Sequence, residues 1–241
     1  MPGPEPRAQA FAAGSRWRRG QHNSGMTDRI ARVTPNRAKP GDPALDRLVD
    51  EMAAADAAMD QPVVSRERVY GGRAIDVERV VARAPNGDDV LRDIVIHPGA
   101  VVIAPVDSEG RLLLVTQFRL AAGGAMLELP AGTLDVHDGV VEEPLVAAHR
   151  ELEEETGYRA ASMERLAGYW SAPGFSTEYL TLYLATGLTP AGADRRPPDA
   201  DEDLGLVTMS VADAIAAVEA GLIEDAKSIA GILLVARRTG A

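Results

Sequence analysis

A chain of 241 residues, 46% hydrophobic and 25% charged, is composed like a folded globular protein and has room for one large core and a small appendage. It holds no cysteine, which excludes disulfides, thiolate metal sites and a cysteine nucleophile, suits a reducing cytoplasm, and leaves oxygen and imidazole groups to bind any metal. Of its net charge of −11, residues 1–39 contribute eight basic against two acidic side chains, so the remainder carries −17 and repels phosphate backbones, which argues against a nucleic-acid partner.

In chain order, residues 1–41 are rich in Pro, Gly, Arg and Ala without a sustained period and read as a disordered basic leader, within which Met26 is an alternative start. Leu45, Leu48, Val49 and Met52, after Asp42 as cap and Pro43 in the first turn, predict an amphipathic helix over 42–59. Two β-rich runs in residues 69–97, split by Pro85-Asn86-Gly87-Asp88, predict a small antiparallel sheet. Helix and sheet together form an N-terminal unit, 42–98.

The main domain, 99–241, opens on VVIAPVD and RLLLVTQFR around Ser108-Glu109-Gly110, a hairpin whose apolar strands are expected to be buried on both faces. Strands around 126–129, 163–170, 179–186 and 206–209, with helices near 144–156, 211–220 and 226–238, complete an α/β domain. No apolar run approaches the ~18 residues that span a bilayer, so no membrane partner is expected and a cytoplasmic location is.

The chemistry concentrates in residues 129–158. Pro144 fits the first turn of a helix and Gly157 its end, and Leu145, Ala148 and Leu152 define a buried stripe. At 100° per residue Glu151 and Glu155 fall beside that stripe, with Glu154 next to them. Arg150 can pair with Glu154, but the three glutamates stand at spacings that cost roughly 0.2–0.5 kcal/mol per like-charge pair, and partial burial adds desolvation. An acidic helix face is ordinarily just solvated. A divalent cation would remove both penalties here, and an oxygen-only donor set suits Mg²⁺ or Mn²⁺.

The flanking residues give that alternative its weight. Arg150, Glu151, Leu152, Glu154, Glu155, Gly157 and Tyr158, with Glu142 eight places before Arg150 and Gly132 further upstream, resemble the Nudix signature. One departure stands out: nine residues separate Gly132 from Glu142 where the family pattern has five. An insertion around 136–139 leaves Glu142 and Asp138 both open for the first acidic position. The resemblance implies an α/β/α sandwich with a mixed sheet, preceded by a small antiparallel β domain. It also implies Glu151 and Glu155 as principal metal ligands, Glu154 ligating or orienting, the Ala131 carbonyl completing the site, and Arg150 holding the carboxylates. Metal bridging two phosphates would screen their charge and activate a water.

Outside the signature, Gln117-Phe118-Arg119, the run from Glu128 to Gly132, Ser171-Ala172-Pro173-Gly174 and Asp225-Ala226-Lys227-Ser228 resemble the ADP-ribose pyrophosphatase branch. That branch implies hydrolysis of ADP-ribose to AMP and ribose 5-phosphate and a homodimer formed through residues 69–97. Another sugar nucleotide such as GDP-mannose, or a module that binds nucleotide without cutting it, are the alternatives. Glu178, five places after Pro173, is expected as general base. Arg119 is expected on the substrate phosphates with Glu128 beside it. His97, His137 and His149 receive no role, and Tyr169, Trp170, Phe175 and Tyr179 can stack on adenine or belong to the core, the commoner place for aromatic residues beside strands.

Overall fold

The computed structural model describes residues 41–72, 75–197 and 204–240. The leader expected over 1–41 lies outside them apart from Gly41. Helix α1 (Pro43–Ala58) starts as its sequence dictates: Asp42 accepts hydrogen bonds from the N–H groups of Ala44 (2.8 Å) and Leu45 (3.2 Å), and Pro43 sits in the first turn, where a missing N–H costs nothing. Its apolar stripe is uncovered, since Leu45, Leu48 and Met52 are exposed and no residue of the helix is buried.

Strands β1 (Val63–Gly71), β2 (Asp76–Arg83) and β3 (Asp89–Ile96) form an antiparallel sheet in chain order. The reading of two β-rich runs is corrected to three strands. Strand β1 begins at Val63, and because eight of its nine residues are exposed no alternation of apolar and polar side chains marks it. Strand β3 is joined to the loop that later carries Glu178: Val95 N–H donates to Phe175 O (2.7 Å) and Thr177 N–H to Val95 O (2.9 Å).

The main body is organised around β4 (Ala100–Pro105), buried at every position. Its side chains alternate between two cores. Val101 and Ile103 join Ala147, Ala148 and Leu152 of α2 (Pro144–Thr156), while Val102 and Ala104 join Ile232 and Val235 of α4 (Ala226–Thr239). A helix therefore covers each face, and each large side chain so enclosed contributes about 1.5–3 kcal/mol. The mixed sheet runs β10 (Tyr158–Trp170), β11 (Tyr179–Pro190), β4, β7 (Ala131–Thr133), with β11 parallel to β4 and the other pairs antiparallel. An antiparallel sheet of β12 (Gly205–Ser210), β5 (Arg111–Arg119) and β6 (Gly124–Glu128) packs beside it, and α3 (Val211–Glu219) follows β12.

Strands β4 and β5 do not pair along their length as the hairpin reading expects. They meet at the Val106–Leu112 bridge and the Asp107 N–H to Arg111 O bond (2.9 Å), then diverge, β4 to β11 and β7, β5 to β12 and β6. Apolar runs report burial on both faces without reporting which strand lies alongside. Strand β10 likewise starts at Tyr158, directly after α2, rather than near 163. The insertion before α2 is a miniature hairpin, β8 (Val136–His137) and β9 (Val140–Val141), closed by Asp138 and Gly139 at φ 53° and 80°, the sign a tight two-residue turn requires. In α2 itself Leu145 is 40% exposed, so the buried stripe is Ala147, Ala148 and Leu152.

Candidate active site

Arg150, on the second turn of α2, is the hub of the acidic cluster. It donates from Nε (3.3 Å) and Nη2 (2.8 Å) to Glu142, and from Nη1 to Glu151 (2.7 Å) and Glu154 (3.1 Å). Its Nη2 also reaches the Thr133 carbonyl at 3.4 Å, tying the helix to the loop before the insertion. Burial works against its charge, and the hydrogen bonds and charges of Glu142 and Glu151 more than offset that, so its pKa is raised. Glu142, which accepts in addition from Asp135 N–H (3.2 Å), is pushed up by burial and drawn further down by Arg150 to lie below the ordinary carboxylate value. Asp138 stands exposed at the tip of the miniature hairpin. Of the two acidic residues left open by the sequence, Glu142 is the one bound into the cluster.

The segment formed by Pro130 and β7 faces the helix closely. Ile103 N–H donates to Pro130 O (2.8 Å), and Ala131 N–H donates to a Glu155 oxygen (3.1 Å). Gly132 is required for the approach of Glu151: a Cβ there would stand 1.9 Å from Glu151 Oε1. Glu151 and Glu155 are both buried, as the position beside the stripe demands. A cleft of about 250 Å³ opens beside them, lined among others by Gln117, Arg119, Gly132, Arg150, Glu151 and Glu154. Among the described residues no three acidic or imidazole side chains converge on one point, since Glu151 and Glu154 turn to Arg150 and Glu155 to Ala131 N–H. In kind, however, the donors fit a hard divalent cation: carboxylate oxygens stand beside a residue without a side chain.

Arg119 lines the same cleft from β5. Its guanidinium is held edge-on by Glu128 of β6, Nε to Oε1 at 2.8 Å and Nη2 to Oε2 at 2.7 Å. Glu128 is 2% exposed and is also engaged by Lys227. Burial raises its pKa, and Arg119 and Lys227 pull it below the ordinary value. Arg119 and Lys227 thus engage the Glu128 carboxylate from two sides. Helix α4 supplies the frame. Asp225 caps it by accepting from Ser228 N–H (2.9 Å), Ser228 Oγ receives Leu129 N–H (2.7 Å), and Lys227 Nζ reaches Asp225 at 2.9 Å.

Glu178, expected as general base, is not among the residues lining that cleft. It lies in the loop immediately before β11, its side chain 30% exposed, with Oε1 3.7 Å from His97 Nε2. The charges of Asp225 and Glu178 both act on Tyr169, whose pKa burial and these carboxylates push up. His97 went unassigned in the sequence, where no spacing marks it. Its Nδ1 accepts from Gly99 N–H (3.1 Å), so the proton of the neutral ring sits on Nε2, facing Glu178. Burial lowers its pKa, and the pull of Glu178 does not restore it.

The NUDIX domain family matches residues 95–230. The chain belongs to the Nudix family. Relatives of this Nudix chain include the ADP-ribose pyrophosphatase of Bacillus subtilis, 34% identical over 171 residues covering 71% of this chain and 90% of that protein. The ADP-ribose pyrophosphatase of Mycobacterium tuberculosis is 38% identical over 182 residues, 74% of this chain and 84% of that protein. A solved ADP compounds hydrolase superposes with a TM-score of 0.65 at 23% identity, over 75% of this chain and 95% of its own, a likeness of fold. Nudix hydrolases generally use divalent metal ions. No helix among the described residues is long and apolar enough to cross a membrane.

Proposed function

We propose that this Nudix chain hydrolyses the pyrophosphate bond of ADP-ribose, adding one water across the P–O–P link to release AMP and ribose 5-phosphate. The observation that carries the reading is the pressing of Glu151 onto Gly132 beside Glu154 and Arg119 in one cleft, with Glu155 held on Ala131 N–H next to it. The two pyrophosphatase relatives, covered over most of their length, support the substrate. Glu151, Glu155, Glu154 and the Ala131 carbonyl would hold Mg²⁺, which when bound screens phosphate charge and acidifies water.

The chain's own residues divide the remaining work. Arg150 gathers the carboxylates on one side of the cleft. Arg119, fixed by Glu128 through Nε and Nη2, offers Nη1 to a phosphate oxygen. Glu178 takes the proton of the attacking water. Residues 42–98 form a unit that pairs two copies into a homodimer, supported by the uncovered stripe of α1 and the exposed Val69, Tyr70 and Leu91 of the small sheet. The cysteine-free composition supports a cytoplasmic setting.

A panel of ADP-ribose, GDP-mannose, NADH and dinucleoside polyphosphates, each with Mg²⁺ and Mn²⁺, tests the reading. ADP-ribose should give the highest kcat/KM, with AMP as product. Preference for GDP-mannose would move the activity to another sugar nucleotide. Tight binding without turnover of any compound would make the chain a sensing module.

A further inference from the structure

We propose that the connection leaving β11 is a strap on the last turn of α2, and that Arg195 and Arg196 within it are positioning residues for Glu154. The inference rests on the proposed function in one respect, that Glu154 works at the metal.

The end of a helix leaves carbonyls without intrahelical partners. Here the chain turns through the short 3₁₀ segment Gly192–Asp194 and lies back along that end. Ala191 N–H donates to Gly157 O (2.9 Å), and Arg195 Nη2 donates to Glu154 O (3.0 Å). The Arg195 guanidinium stands 3.1 Å from where a Cβ on residue 157 would be, so the glycine that ends the helix also admits the strap. Arg196 N–H donates to Glu153 Oε1 (3.0 Å), and Arg159 grips the same carboxylate from Nε (2.9 Å) and Nη2 (2.8 Å). Glu153, at a position the signature does not specify, is 7% exposed and thus ties strap, helix and β10 together.

Glu154 is held at three points as a result. Arg195 takes its carbonyl, Arg150 Nη1 its Oε2 at 3.1 Å, and Arg196 Nη1 stands 4.0 Å from its Oε1. Two cations from different elements thus stand at the two oxygens of one carboxylate. The strap therefore takes part in fixing the orientation of this box glutamate, from some forty residues beyond the box.

The sign of the effect separates positioning from plain electrostatics. Deleting a cation beside an acidic cluster should by charge alone tighten binding of a divalent metal, whereas loss of a positioning contact weakens it. Mn²⁺ alone is titrated into the full chain, followed by electron paramagnetic resonance, for wild type, Arg195→Ala, Arg196→Ala, Arg196→Lys and Glu154→Gln, with thermal midpoints alongside. Each Ala variant should weaken Mn²⁺ binding about 10-fold, the lower end of what outer-shell partners of metal ligands cost, and Arg196→Lys should recover most of it. Arg196 is largely exposed, so its variants should melt near wild type. Unchanged or tighter Mn²⁺ binding in both Ala variants, with Glu154→Gln weakened, overturns the strap while sparing the site. Unchanged binding in Glu154→Gln overturns the reading of Glu154 itself, and the strap with it.

Discussion

Arg119 and Glu128 meet as two forks, guanidinium against carboxylate, at 2.8 and 2.7 Å across neighbouring strands, with the carboxylate enclosed and the guanidinium 40% exposed. The cation is thereby oriented before any substrate arrives, which lowers the ordering cost of binding a phosphate. The same pair makes Glu128 the point at which substrate affinity and stability are coupled.

Glu128→Gln should raise KM for ADP-ribose, with a smaller effect on kcat, because Arg119 loses its orientation. It should also destabilise the fold in urea, by less than the roughly 3–5 kcal/mol of a fully buried pair since Arg119 is partly solvated. The folded pKa of Glu128 lies below its unfolded value, so its stabilisation is complete above about pH 4.3 and disappears as pH falls through the folded value. The wild type should therefore lose stability over that window more steeply than the variant. Equal slopes would mean the pair contributes nothing to folding.

Glu151→Gln and Glu155→Gln should each lower metal-dependent turnover by at least about 100-fold, the upper end of what even outer-shell partners of a metal cost. Like-charge spacing alone suggests that either change would also relieve repulsion. The structure removes that expectation for Glu151, whose charge Arg150 Nη1 already meets at 2.7 Å, so its melting point should stay level or fall slightly. In Glu155→Gln the amide oxygen can still accept from Ala131 N–H, and the fold should hold. Near-wild-type rates in either variant at saturating Mg²⁺ would place the chemistry elsewhere.

The box was legible because its constraints are local. Pro144, Gly157 and the helical period place Glu151 and Glu155 at the core edge without reference to any other part of the chain. What stayed hidden was non-local. No pattern in RLLLVTQFR says that β5 leaves β4 for β12, and no spacing links His97 to Glu178, eighty-one positions apart in sequence and 3.7 Å apart in space. The enclosure of Glu128 by Arg119 and Lys227 stayed hidden for a related reason, since it comes from strands and a helix that meet only in the fold.

Homodimer formation should be visible by light scattering at micromolar concentration. Leu48, 51% exposed on a helix that buries nothing, is a surface position in the isolated chain, so Leu48→Glu should leave the monomer fold unchanged. If the stripe on α1 lies in the pairing surface, the charge should shift the mass toward monomer. A monomeric wild type would remove the dimer, and a dimeric Leu48→Glu would confine pairing to the small sheet.

Glu178→Gln separates proton transfer from binding. If Glu178 takes the proton of the attacking water, kcat should fall by roughly 10²–10⁴-fold, the usual share of general-base catalysis. Mg²⁺ affinity should be unchanged, because in this reading Glu178 acts on the water and is not a ligand of the metal. Substrate affinity should also hold, since Arg119 and the metal site still grip the pyrophosphate, and the loss then falls on the transition state alone. His97 provides the companion variant. Its Nε2 proton faces the carboxylate, so His97→Asn should disturb the orientation of Glu178 and reproduce part of the loss in kcat. An unchanged kcat in Glu178→Gln would shift water activation to a glutamate of the signature or to the metal. A large fall in metal affinity would instead make Glu178 a ligand, which is why the metal titration must accompany the kinetics.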